Sequence, residues 1–228
     1  MLPKIETPIL KFELPSTGET LRFRPFLVKE EKVLMLASEG KDINDMLQAA
    51  QQVVSNCCLE DINVEELTIF DLQMLFINLK SKSVGQEQDF TLSCGECKQN
   101  INYTLDLDSV KVQGLDNPID NFIKVTDEVG ILLKYPTTKA VTTIIDDDAE
   151  IMRHCIEHIV SGEETLNPAD ETKEEMTEFI DNLPVAVYTQ IKEFFINMPR
   201  VEHLIEFKCS ACEKENVVLI NGYEHFFD

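Results

Sequence analysis

The sequence predicts an α+β fold: β-hairpins plus a helical body, with two Cys-x-x-Cys zinc-knuckle hairpins brought together as a split zinc ribbon. Three observations predict it. The hydrophobic period switches between two and 3.6 along the chain. Two cysteine pairs, Cys94/Cys97 and Cys209/Cys212, each sit between stretches that alternate apolar and polar residues. The order hairpin, helices, cysteine hairpin occurs twice, which suggests an internal duplication.

The elements follow in order. In "ILKFELPSTGETLRFRPF", Leu10, Phe12 and Leu14 alternate with charged residues, as do Leu21 and Phe23, and Pro15, Ser16 and Gly18 supply the turn, so a hairpin is predicted. "VKEEKVLMLASEG" predicts a short helix ended by Gly40. "DINDMLQAAQQVVSNCC" places Met46, Ala50, Val53 and Cys57 on one helical face. "VEELTIFDLQMLFINLKSK" does the same with Ile69, Leu72, Phe76 and Leu79, with Asp61 or Asn63 as its cap. The period then returns to two around Cys94 and Cys97. A second hairpin is predicted in "NFIKVTDEVGILLKYP", turning at Asp127 to Gly130. Helices are predicted in "TKAVTTII", "AEIMRHCIEHIV", "KEEMTEFIDNL" and "VAVYTQIKEFFINM", with "SGEETLNPAD" as a linker. "HLIEFKCSACEKENVVLI" closes the series as a second cysteine hairpin. The expected organisation is one compact domain, 1–228, made of half-repeats 1–108 and 109–228. Cys94 and Cys209 are 115 positions apart, and Pro25 and Pro136 are 111 apart.

The cysteine pairs carry the chemistry. Each first cysteine has apolar residues four and two positions before it, and apolar residues nine and eleven positions after it. Two intervening residues let a tight turn aim both sulfurs at one point, and tetrahedral zinc takes four thiolates at about 2.3 Å. Cys94, Cys97, Cys209 and Cys212 are therefore the expected ligands of one structural Zn2+ per chain. Lys98, Lys208 and Lys214 are placed to offset the charge of four thiolates. More than a hundred residues separate the pairs, so the ion would staple the end of one half to the end of the other. A redox pair is disfavoured, because "KQNINYTLDL" after Cys97 alternates and presents no helix N-terminus to a thiol. No glycine follows Cys97 or Cys212, so a looser turn is expected there.

Other groups read more plainly. His154 and His158 would share a helix side outside the apolar face, and Cys57 and Cys58 are expected to be free thiols facing the core. Asp146, Asp147 and Asp148 suit the N-terminus of a helix. Tyr223, Phe226 and Phe227 either cover the second knuckle or anchor a partner. The chain has 42 acidic and 20 basic residues, a formal net charge of -22. That charge repels phosphate backbones, which excludes a nucleic-acid role without a local basic patch. No run approaches a membrane span of about 18 apolar residues, and the N-terminus does not read as a signal peptide. Glycine-rich phosphate loops and nucleophile motifs are missing, so neither an enzyme nor a small-molecule binder is expected.

The stretches "LPSTGETLRFRPFLVKEEKVLMLA", "FTLSCGEC" and "FKCSACEKENVVLINGYEHFF" resemble the hub-associated baseplate proteins of T-even-type tailed phages. The most specific piece is Arg24, Pro25, Phe26, Lys29, Glu30 and Glu31. The resemblance implies a non-enzymatic baseplate hub structural or assembly protein that binds other hub components in the host cytoplasm during tail morphogenesis, either as a lasting part of the virion tail baseplate or as a transient assembly factor. A zinc-ribbon adaptor for transcription machinery or nucleic acid is the competing expectation.

Overall fold

The computed structural model describes residues 6–40, 42–116, 119–143, 148–222 and 224–226. It is a mixture of helices and small antiparallel sheets, as the periodicity predicts. Packing divides the chain into two units: unit 1 holds residues 1–113 and 200–228, and unit 2 holds 114–199. The division therefore falls at other positions than the 108/109 junction of the two sequence halves.

Unit 1 opens with β1 (Leu10–Glu13) and β2 (Thr20–Phe23), paired from Leu10↔Phe23 to Glu13↔Thr20. Gly18, at φ +74°, returns its N–H to the Leu14 carbonyl at 2.8 Å and closes the turn. Helix α1 (Val28–Gly40) begins where Pro25 can no longer sit in a strand. Its third residue, Glu30, accepts the Leu27 N–H at 2.9 Å, half of a capping box. Helix α2 (Ile43–Cys57) is capped by Asp42, which accepts the N–H groups of Asn44 and Asp45. Its buried stripe is Leu47, Ala50, Val53, Val54 and Cys57. The expected face holds from Ala50 onward, but Leu47 occupies its first position and Met46 lies beside it.

Asn63 does cap a helix, but only the single turn Val64–Glu66. Helix α3 (Ile69–Ser83) starts later, with Thr68 accepting the Asp71 N–H. Ten of its residues, from Phe70 to Ser81, are buried, so it is the central helix of unit 1 rather than an amphipathic face. The knuckle strands follow: β3 (Glu87–Ser93) pairs with β4 (Asn100–Asp106). Strand β5 (Lys111–Gln113) joins a three-stranded sheet built with the last two strands of the chain.

Unit 2 contains β6 (Phe122–Lys124) and β7 (Val129–Leu133), the predicted second hairpin. Helices α4 (Thr138–Thr143) and α5 (Asp148–Cys155) come next. The predicted helix "AEIMRHCIEHIV" is only half helical. After Cys155 the chain becomes β8 (Ile156–Ser161), paired with β7 through Ile131↔Ile159 and Leu132↔His158. Ile156, Ile159 and Val160 are β-branched, and a neighbouring strand outweighs the helical period. The expected linker forms β9 (Glu164–Leu166), reached through a two-residue loop with Gly162 at φ +62°. After the turn Pro168–Asp170, Thr172 and Glu175 make a complete capping box on α6 (Lys173–Asp181), and α7 (Val185–Asn197) follows Pro184. Ile131, Leu133, Met152, Met176, Ile191 and Phe194 form the centre of this unit's own core.

The chain returns to unit 1 through β10 (Arg200–Lys208) and β11 (Glu215–Asn221), in the order β11-β10-β5. Gln113 and Arg200 stand opposite one another across the β5–β10 ladder. The chain thus leaves unit 1 and re-enters it at adjacent strand positions.

The two sequence halves repeat several contacts. Arg24 N–H donates to Cys57 O at 2.9 Å, and Lys134 N–H donates to Cys155 O at 2.8 Å. In both cases the residue just after a hairpin's second strand meets the residue ending the second helix of that half. Asn63 and Asn167 each cap a single turn, and five residues later Thr68 and Thr172 each cap a helix.

Candidate metal centre

Each cysteine pair is set by a strand end and a turn. Cys94 donates its N–H to Gln99 O at 2.9 Å and accepts that of Lys98 at 3.0 Å. Cys209 donates to Lys214 O at 2.9 Å and accepts from Glu213 at 2.9 Å. Lys98 and Glu213 hold φ +61° and +59°, the left-handed conformation that glycine adopts most easily. The turns are therefore closed by two matching hydrogen bonds each, and the looser turn expected without glycine does not occur. The left-handed backbone costs a non-glycine residue about 1–2 kcal/mol. Glycine's greater freedom when unfolded offsets about 0.5–1 kcal/mol of that. Lys98→Gly is expected to raise unfolding stability by about 0.5–1 kcal/mol, read as a higher urea midpoint at unchanged slope. A lower midpoint would show that the turn is not strained.

The four sulfurs converge. Cys94 Sγ lies 3.7 Å from Cys212 Sγ, and Cys97 Sγ lies 3.6 Å from Cys209 Sγ. All four lie within 4.8 Å of one another. Four sulfurs each about 2.3 Å from a central zinc stand about 3.8 Å apart along a tetrahedron edge. The cross-knuckle spacings match that edge, so the donor set fits a tetrahedral thiolate-binding metal ion. The first cysteine of each pair meets the second of the other, the arrangement expected of two knuckles facing head to tail. Cys94 and Cys209 are buried, whereas Cys97 and Cys212 are exposed.

Electrostatics point the same way. Backbone N–H groups of Cys97 and Glu96, with the neighbouring thiols, pull the Cys94 thiol down to about 6. Cys209 is lowered as well, first by the N–H of Cys212 and then by that of Ala211. A Lys214 N–H favours the Cys212 thiolate, but hydrogen bonding to Cys97 and burial outweigh it and push that thiol up to about 12. The turn N–H groups thus favour the charged forms of Cys94 and Cys209, while the neighbouring sulfurs and burial disfavour that of Cys212. A bound dication would supply the positive charge that compensates the thiolates.

The neighbouring side chains were less legible in the sequence. Asn216 Oδ1 accepts the Gly95 N–H at 3.0 Å, tying one knuckle to the other without a metal. Nothing in an alternating strand marks that asparagine. The Lys98 ammonium rests on Gly95 O at 3.0 Å, and that of Lys208 on the Glu213 carboxylate at 3.3 Å. After each pair the chain enters a strand rather than a helix, so the geometry of a thioredoxin-type thiol is not built here.

The other sequence candidates fall elsewhere. His154 ends α5 while His158 sits in β8, so the two do not share a helix. Cys57 and Cys155 are buried free thiols, pushed by burial up to about 11 and about 12. Cys58 is half-buried. Asp146 and Asp147 lie outside the described residues, and Asp148 opens α5. Tyr223 and Phe227 also lie outside them. Phe226 is 1% exposed, and its carbonyl accepts the Lys80 ammonium at 2.6 Å. An anchor role for Phe226 would therefore require the tail to leave this seat.

A family model described as "T4 bacteriophage base plate protein" matches residues 7–228. The chain belongs to this family. No curated protein and no solved structure gives a match. Membership makes this a phage baseplate protein, a component type of the virion tail. Among the described residues no helix is long and apolar enough to cross a membrane. Within the baseplate chain, the motif Arg24-Pro25-Phe26 with Lys29, Glu30 and Glu31 has a clear physical role. Arg24 Nη2 donates to Glu30 Oε1 at 2.9 Å and to Asn56 O at 2.8 Å, joining the end of β2 to the start of α1 and the end of α2.

Proposed function

We propose that the chain is a non-enzymatic structural and assembly protein of the baseplate hub, which binds other hub components during tail morphogenesis. It would act in the host cytoplasm while the baseplate forms and remain associated with the tail. We further propose that Cys94, Cys97, Cys209 and Cys212 hold one structural Zn2+. The ion supplies no reaction chemistry there: it joins two hairpins from distant parts of the chain. The observation that carries the metal assignment is the convergence of four thiols at tetrahedral spacing. Family membership across residues 7–228 supports the baseplate role. The excess of 22 negative charges suits protein partners with basic faces better than nucleic acid.

The test is co-expression with the hub subunits of the same phage, followed by affinity purification at moderate salt. A stoichiometric complex is expected. Absence of any complex, together with salt-sensitive binding to single-stranded or duplex DNA, would replace the hub role with that of a nucleic-acid adaptor.

A further inference from the structure

Unit 2 has a cavity of about 260 Å³ beside α6, and the contact that ties hairpin turn to helix in the first half of the sequence has no equal there among the described residues. In the first half, Asp71 sits three residues after the capping Thr68 and is 1% exposed. The β1–β2 turn closes onto it: Ser16 donates its N–H at 2.9 Å and its hydroxyl at 2.5 Å to the Asp71 carboxylate. In the second half, Glu175 sits three residues after the capping Thr172. The β6–β7 turn makes no such contact among the described residues. Its Thr126 hydroxyl instead accepts the N–H groups of Glu128 and Val129, at 3.2 and 3.0 Å, and so folds back on its own hairpin. The Glu175 carboxylate accepts from Thr172, at 2.9 Å from N–H and 2.7 Å from the hydroxyl.

The space between hairpin and helix is therefore open. Val129, Ile159, Leu166, Met176 and Phe179 give it an apolar floor, and Glu171 and Glu175 stand at its rim. No lysine or arginine lines it among the described residues. The surrounding unit is strongly acidic, with 18 aspartates and glutamates against 6 lysines and arginines in 114–199. A second copy of so acidic a surface would be repelled. A partner that puts one apolar side chain into the floor and flanks it with lysine or arginine meets both features.

We propose that this cavity is a docking site for a protruding apolar residue flanked by basic residues on a partner baseplate protein. The proposal rests on the partner-binding role above and names where, and by what chemistry, the partner is held. Val129 and Ser161 pair across β7 and β8, and both line the cavity, so a larger side chain at the exposed Ser161 fills it without replacing a core residue.

The chain contains no tryptophan, so the indole of a probe peptide reports without background. The probe is Lys-Arg-Trp-Arg-Lys added to the full metal-loaded chain. A saturable blue shift of its emission is expected, with at least tenfold weaker binding to Ser161→Phe and to Glu171→Lys. The charge-reversed peptide Glu-Asp-Trp-Asp-Glu is expected not to bind. A shift unchanged by both substitutions would mean diffuse attraction to an acidic surface and would overturn the proposal, as would no shift at all. Glu171 lies on exposed chain between a turn and α6, so its variant keeps the test valid if Ser161→Phe folds poorly. Hub complexes that survive both substitutions would overturn the docking site while leaving partner binding intact. Failure of the unaltered chain to form any hub complex would instead remove the partner-binding role.

Discussion

Cys209→Ser is expected to abolish stoichiometric zinc and to collapse the thermal stability of unit 1. The purified chain should carry about one zinc per molecule by elemental analysis, and the variant much less. A structural tetrathiolate site contributes on the order of 10 kcal/mol of apparent binding energy, and a three-thiolate remnant retains only part of it. Loss should be concentrated where the ligands sit, since both knuckles pack within unit 1. Unit 2 has its own core around Ile131, Ile191 and Phe194 and is expected to melt separately in the variant, giving two calorimetric transitions. Cys57→Ser provides the contrast. That thiol is buried and ligates nothing, and a serine hydroxyl there could still accept from Arg24, which lies 3.5 Å from the sulfur. Its cost should be about 1 kcal/mol, within the range usual for single substitutions. Equal losses in the two variants, or a metal content of two or zero, would overturn the shared site.

The second large effect is expected at Arg24. The Glu30 side chain has no solvent exposure and that of Arg24 only 17%, so this ion pair is largely removed from water. Arg24→Ala strands the carboxylate with the Leu27 N–H and the solvent-exposed Lys29 ammonium, 3.4 Å away. Removing one partner of a buried pair costs about 3–5 kcal/mol, visible as a shift in the urea midpoint. The pH dependence separates this from a packing defect. Burial opposes the Glu30 charge, but hydrogen bonds from Arg24 and Leu27 outweigh it and hold the carboxyl below its ordinary range. A lowered folded-state value means the pair's stabilisation is complete above the ordinary carboxylate range and is lost as pH falls through the lowered value. In Arg24→Ala the remaining burial favours the neutral acid, so the deficit of the variant should shrink on acidification. A deficit constant with pH would point to lost packing alone.

How far the sequence speaks for the fold depends on where local signals agree with tertiary ones. The knuckles were legible as hairpins, because alternation, cysteine spacing and turn length all describe one local hairpin, although the closed left-handed turns at Lys98 and Glu213 were not. The β1–β2 hairpin was legible too; β6–β7 was legible as a hairpin, but its turn lies at residues 125–128, since Val129 and Gly130 of the expected turn are already in β7, with Gly130 paired to Lys124. Residues Ile156 to Ser161 were not legible, because a helical period and a strand composition overlap there and only the presence of β7 decides between them. The start of α3 was misplaced for a related reason: Asn63 and Thr68 are both good caps, and the first serves a single turn. The division into units could not be read from order alone. It depends on β10 choosing β5 as its neighbour, a pairing between residues that lie far apart in the chain. Asn216 beside the four-cysteine cluster and the open cavity beside Glu175 share that dependence on distant contacts, which leave no periodic trace.

The separation of the two knuckles has a consequence for biosynthesis. Cys97 and Cys209 are 112 residues apart, yet their sulfurs meet. At about 5–20 residues per second, a ribosome needs roughly 6–20 s to add that stretch. Throughout that interval the nascent chain displays two thiols of a half-built site, able to hold an ion only weakly or to share it with another molecule. Capture by all four thiols would have to wait until Cys209 and Cys212 have emerged as well, so a complete site would form only after both knuckles have been made.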